Sequence, residues 1–193
     1  MSGRILASAV TVALGALLVG WGLTTPARDA ATAHAAQRRL ARVRPAPGPA
    51  PPPAGAVVGR IRIPSLDLSA TVLQGTGLSV LARAPGHWPA SPLPGAPGDA
   101  VIAAHDDTFF AHLDRLRAGA TVLFRGASGI TYVFRVAASR VMGPHQGLAR
   151  EDWPTLTLFT CYPLTARGFT PDRYVVVARL VGSRFPRARG ARA

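Results

Sequence analysis

From Val57 onward the chain alternates apolar and polar positions in short runs separated by Gly/Pro breaks, a strand pattern rather than a helical one. "VVGRIRIPSLDLSATVLQG" reads as two short strands broken at Pro64, with Ile61 and Ile63 on one face and Arg60 and Arg62 on the other. "APGHWPASPLPGAPGD" is loop by its proline and glycine content. "AVIAAH" is a brief apolar strand ending at His105. "DDTFFAHLDRL" predicts a short helix capped by Asp106, Asp107 or Thr108, with Phe109, Leu113 and Leu116 on one face. "TVLFRGASGITYVFRVAASRVM" predicts a hairpin turning through Gly126 to Gly129, and "GPHQGLAREDW" a loop. Two further strand runs, "TLTLFTCYP" and "RYVVVARL", complete a mainly β domain over residues 57–181. Seven or eight strands with short helices are spaced as in a closed or nearly closed antiparallel barrel.

The first 56 residues break this pattern. "ILASAVTVALGALLVGWGL", Ile5 to Leu23, is uncharged throughout and predicts a transmembrane helix within an anchor of residues 1–23. A cleaved signal peptide is the rival reading, since "AHA" at Ala33 to Ala35 resembles a cleavage site, but the apolar run exceeds the usual h-region of about 7–15 residues. Residues 24–56 form an Ala/Arg-rich and then Pro-rich spacer, its first part compatible with a juxtamembrane helix and "RPAPGPAPPPAG" with an extended segment holding the domain off the membrane. Only Arg4 precedes the span, whereas Arg28, Arg38, Arg39, Arg42 and Arg44 follow it, which by the positive-inside rule favours a cytoplasmic domain. Residues 182–193 are a basic tail.

The net charge of +13 comes from 22 arginines without a single lysine, which excludes Schiff-base or lysine general-base chemistry. No nucleic-acid-binding motif accompanies the arginines, so a surface attracted to anionic lipid or wall polymer is the better electrostatic reading, with no nucleic acid among the expected partners. One cysteine precludes an internal disulfide, and no His/Cys/carboxylate spacing matches a metal site; no metal or cofactor is expected.

Cys161 ends one strand, stopped by Pro163, and shares a face with Phe159 opposite Leu156, Leu158 and Thr160. Locally, a buried core thiol and a nucleophile fit equally well. Among the histidines, His34 lies in the spacer, His112 within the expected helix where partial burial explains it, and His87 and His145 in loops. His105 alone ends an apolar strand, the same kind of position as Cys161.

Taken in order, "GRIRIPSLDL", "AVIAAHDDTFFAHLDRLRAGATV" and "LTLFTCYP…PDRYVVVARL" resemble the sortases, membrane-bound cysteine transpeptidases of bacterial surfaces, across Val57 to Leu180. "TCYP" and the twelve-residue step from Cys161 to Arg173 look most like the class D branch, with a proteobacterial branch bearing "CYPF" as close rival. The chain departs from its relatives at Ala104, Asp106 and Leu164, where glycine, arginine and phenylalanine are usual. Asp106 either caps the following helix or favours the imidazolium of His105. The resemblance implies a sortase-type closed barrel with Cys161 as nucleophile, His105 as general acid/base, Arg173 as electrostatic stabiliser and Thr160 as an additional substrate or oxyanion contact. It also implies a single-pass cell-membrane protein with a cytoplasmic N-terminus and an extracytoplasmic catalytic domain, against the charge rule. The implied partners are surface proteins with a C-terminal Leu-Pro-x-Thr-Gly-like signal, and an amine acceptor such as a peptidoglycan cross-bridge or pilin lysine. A surface cysteine peptidase using water in place of the amine, and a non-catalytic anchored binding module, are the alternatives.

Overall fold

The structure, a computed structural model, describes residues 30–43, 52–147, 151–164 and 170–186. The expected membrane span over Ile5–Leu23 lies outside them, and among the described residues no helix is long and apolar enough to cross a membrane.

Alternation translates directly into strands. β1 (Val57–Ile63) and β2 (Leu68–Gln74) are separated by a 3-10 turn at Pro64–Leu66, where proline ends the first strand. A single helical turn, α2 (Leu78–Leu81), leads to the two-residue β3 (Gly86–His87), and then come β4 (Asp99–Ala103), β5 (Thr121–Gly126), β6 (Thr131–Met142), β7 (Thr155–Tyr162) and β8 (Asp172–Arg184). The eight strands close into a barrel in the order β1-β2-β3-β4-β7-β8-β6-β5. The core inside it takes alternate residues of successive strands: Ile61 and Ile63, Ala100 and Ile102, Val122 and Phe124, Leu156 and Leu158, Val176 and Ala178. Each fully buried large aliphatic or aromatic side chain contributes roughly 1.5–3 kcal/mol, so this pattern fixes which face of each strand turns inward.

The barrel is not wholly antiparallel, as the alternation had suggested. β2–β3 and β4–β7 are parallel pairs. A parallel partner requires a crossover, and the long excursion from β4 through β5 and β6 to β7 supplies it. The expected helix after His105 is also replaced, by successive turns and a 3-10 helix at Leu113–Arg115. Phe109, Phe110, Leu113 and Leu116 are all buried in the core, and adjacent Phe109 and Phe110 cannot both lie on one narrow helical stripe. His112 is exposed rather than partly buried.

Residues 30–40, within the expected spacer, are helical (α1) and dock on the barrel. Ala33 enters the main core cluster, Leu40 packs on a smaller one built from Val57, Leu73, Val80 and Ala84, and the exposed His34 meets the Phe109 ring edge-on at 6.5 Å between centroids. β2 pairs with β3 only at Leu73 and Gln74, which leaves Thr71 without a strand on that side. The Gln37 amide fills the gap: its Oε1 accepts from Thr71 N at 2.6 Å, and its Nε2 donates to Thr71 O at 3.1 Å and Arg83 O at 3.0 Å.

Candidate active site

Strand direction decides what meets at the end of the barrel where β7 finishes. In the parallel β4–β7 pair Ala103 lies beside Phe159, so β4 ends, two residues before His105, at the same end of the barrel as β7. The antiparallel β7–β8 pair sets Arg173 directly opposite Cys161. Directly opposed residues have Cβ atoms roughly 4.5–5.5 Å apart. An antiparallel β4–β7 pair would have sent His105 to the far end of the barrel. Two pairings of opposite sense therefore set Arg173 against Cys161 and bring the end of β4, which precedes His105, to the same end of the barrel.

Cys161 is a free, partly exposed thiol, and Phe159 shares its face, while Leu156, Leu158 and Thr160 point inward. Arg173 Nη1 donates to Thr170 O at 2.6 Å and to Asp172 O at 2.8 Å, which anchors one arm of the fork. A guanidinium carries five N–H donors, of which this anchoring uses those on Nη1. Stacked Tyr162 and Tyr174 rings, 6.1 Å between centroids, tie the ends of β7 and β8 together beside this pair.

Thr160 is placed differently from the expected substrate contact. Its side chain is 1% exposed, and its hydroxyl donates to Ala104 O at 2.8 Å, while Ala104 N donates to Phe159 O at 3.3 Å. Its hydroxyl therefore binds β7 to the residue immediately before His105 and holds the histidine and cysteine segments in register. Asp106 is buried, and turns rather than an α-helix follow it.

From Arg173 a groove of about 1090 Å³ runs over the outer face of β4, β7 and β8, with Val101, Phe159 and Val175 among its lining residues. One wall comes from the segment after β3, with Trp88, Ser91 and Pro92; the other from the end of β6 and the segment after it, with Met142, Pro144 and Gln146. Alternation in phase with Phe159 and Cys161 could have located Asp99 and Val101, but nothing local marks Trp88 as groove wall. Asp99, at the far end from Cys161, accepts from Thr157 Oγ1 at 2.8 and 2.9 Å. Burial, with Glu151 nearby, pushes its carboxyl above the usual range despite the opposing Thr157 bond. Among the described residues no cluster of His, Cys, Asp and Glu is arranged to hold a metal ion.

The family model described as Sortase domain matches residues 61–181, from β1 into β8. The chain belongs to the sortase family. Sortase D of Bacillus subtilis (strain 168) is 24% identical over 133 residues, 67% of each chain. The SrtD catalytic domain of B. anthracis is 26% identical with a TM-score of 0.60, over 73% of this chain and 97% of that one. Sortase C of Clostridium perfringens, solved with the C-terminal cell wall sorting motif, superposes with a TM-score of 0.59 at 24% identity, over 67% of this chain and 72% of that one. The two sortase D relatives agree with the class D likeness of "TCYP" and the step to Arg173, and the family assignment makes this chain a cysteine transpeptidase of the sortase type.

Proposed function

We propose that this sortase cleaves a C-terminal Leu-Pro-x-Thr-Gly-like signal of surface proteins through a thioester on Cys161 and passes the acyl group to an amine. The observation that supports the reading is the pairing of Cys161 with Arg173 across β7 and β8, with Arg173 itself lining a long groove. The sorting motif in the C. perfringens sortase C structure supports a peptide of this kind as occupant.

The Cys161 thiolate attacks the carbonyl carbon before the scissile nitrogen, giving a tetrahedral oxyanion. Arg173, fixed at Nη1, offers charged donors to that oxygen, a contribution on the order of 10²–10³ in rate for a well-placed donor. Collapse breaks the C–N bond as His105, in its imidazolium form, gives a proton to the departing amine and leaves an acyl thioester. An incoming amine attacks the thioester and surrenders its proton to His105, and the thiolate departs unchanged. Amide is exchanged for amide, so no nucleotide or metal is consumed.

The 1–23 segment acts as the membrane anchor, with the N-terminus in the cytoplasm and residues 57–181 outside as the catalytic domain. Enzyme and anchored substrate then share one surface, and effective concentration compensates for modest intrinsic affinity. The amine is a peptidoglycan cross-bridge or a pilin lysine. The full chain incubated with a labelled sorting peptide and diglycine yields the diglycine amide in proportion to amine. Hydrolysis at the same rate, with no amide product for any amine supplied, refutes transfer and leaves a cysteine peptidase.

A further inference from the structure

His87 has no part in the chemistry above, yet its side chain is 1% exposed and both ring nitrogens are engaged. It sits on β3, which runs parallel to β2 through Leu73–Gly86 and Gln74–His87 and antiparallel to β4 through Gly86–Ala103 and His87–Ile102. A Cβ on Gly86 would collide with the Gly75 carbonyl oxygen, so glycine is what lets the strand lie this close to the end of β2. Nδ1 of His87 is 2.8 Å from Oε1 of the buried Gln74. Nε2 is 2.9 Å from Pro92 O and 3.2 Å from Ser91 Oγ. Ser91 Oγ in turn donates to Trp88 O at 2.8 Å and accepts from Val101 N at 3.0 Å.

Pro92 O can only accept, and the Ser91 hydroxyl hydrogen is directed to Trp88 O, so the contact of Nε2 with Pro92 O is made by the ring N–H donating. Burial pushes the ring's pKa below the usual imidazole range, against the opposing bond to Pro92 O. Gln74 presents its amide oxygen to Nδ1, so the ring is held between two oxygens, Gln74 Oε1 and Pro92 O. One continuous path thus runs from β2 through β3 into the following loop and on to β4.

That loop is one wall of the groove. Trp88, Ala90, Ser91, Pro92 and Pro97 line it, while Trp88 N, bonded to Val101 O, and Gly98 O, bonded to Thr155 N, hold its two ends. Between these ends, proline at positions 89, 92, 94 and 97 removes backbone donors, so side chains must do the anchoring. The geometry points to His87 as a positioning residue for the substrate groove: through Pro92 O and Ser91 it holds the Trp88–Pro97 wall at the width that accepts an extended peptide. This rests on the groove being the peptide site. It assigns His87 to peptide binding rather than to bond cleavage, because its bonds lead to the wall and not to Cys161, His105 or Arg173.

Three substitutions in the full chain test it, read by steady-state kinetics on a sorting peptide and by hydrogen exchange of the segment 86–101. His87→Phe keeps the ring's bulk but removes both polar contacts. The expected result is a KM raised about tenfold with kcat changed less than about threefold, since a loosened wall forfeits binding shared by ground and transition states. The same variant exchanges faster across 86–101 while the β5–β6 hairpin stays protected. His87→Gln restores a donor toward Pro92 O and recovers most of both effects, which loss of core bulk alone would not allow. Ser91→Ala cuts the path to Val101 and Trp88 with the ring intact, moves both readouts the same way, and decides the matter if His87→Phe does not fold. A fall in kcat at constant KM, or unchanged exchange over 86–101, overturns the assignment. A wild type that turns over no sorting peptide refutes the proposed function instead, and the exchange measurement still decides for His87.

Discussion

Replacing Gln37 with alanine tests how firmly α1 belongs to the barrel. The amide makes three hydrogen bonds, to Thr71 N, Thr71 O and Arg83 O, on a stretch of β2 that lacks a strand neighbour. Truncation leaves both backbone groups of the buried Thr71 without those partners, and each unsatisfied buried group costs about 1–3 kcal/mol. Water reaches the Arg83 carbonyl more readily, since that contact is only partly buried, so the sum comes to about 3 kcal/mol. At roughly 2–4 °C per kcal/mol for a chain of this size, the Tm of the full chain falls by about 6–12 °C in thermal melts followed by circular dichroism. Arg38→Ala, one residue along on the exposed face, is the control and moves stability by no more than about 0.5 kcal/mol. A fall of less than about 2 °C for Gln37→Ala, or an equal fall for both variants, would show that α1 is not held by this amide.

Thr160→Val removes the donor to Ala104 O at nearly constant shape; the buried carbonyl left behind costs about 1–3 kcal/mol, and kcat falls with the loosened His105 segment, both measurable on one preparation. Arg173→Lys keeps the charge but loses the rigid fork, so kcat/KM drops on the order of 10²-fold while Tm changes little; unchanged turnover would remove Arg173 from the mechanism. The pH dependence of stability carries two signs. Asp99 is raised in the folded state, chiefly by burial, so the native protein binds the proton more tightly than the unfolded chain and stability declines as pH climbs through and above the ordinary carboxylate range. Asp99→Asn flattens that decline in urea titrations across pH 3–7 and is more stable than wild type at pH 7 (an unaltered slope contradicts this). His87 is lowered, chiefly by burial, so its contribution is complete above the unfolded value of 6.5 and is lost as pH falls below it; His87→Gln removes that acid-side loss.

Strands were legible because a barrel buries alternate residues, and that demand is written into "GRIRIP" and "TLTLFT". The face shared by Phe159 and Cys161 followed from the same count. Which strands pair is not encoded by alternation, and the parallel β4–β7 contact, which brings the ends of both strands to one end of the barrel, appears only in the folded sheet. The segment after His105 misled because Phe109, Leu113 and Leu116 do carry a helical period, and the burial of Phe110 breaks it. Gln37 and His87 were invisible for a common reason. Both are polar residues buried through hydrogen bonds, one in an Ala/Arg-rich stretch and the other in a Pro/Gly-rich one, where hydrophobic patterning has nothing to report.

The covalent state of Cys161 is the most direct test of the account. Brief incubation of the full chain with a Leu-Pro-x-Thr-Gly peptide, acid quench and intact-mass measurement should show a gain equal to the acyl fragment through threonine. Peptide mapping should place it on Cys161, diglycine should discharge it, and Cys161→Ala should show none. An adduct on another residue, or peptide turnover by Cys161→Ala at the wild-type rate, would contradict the assignment of Cys161 as the nucleophile.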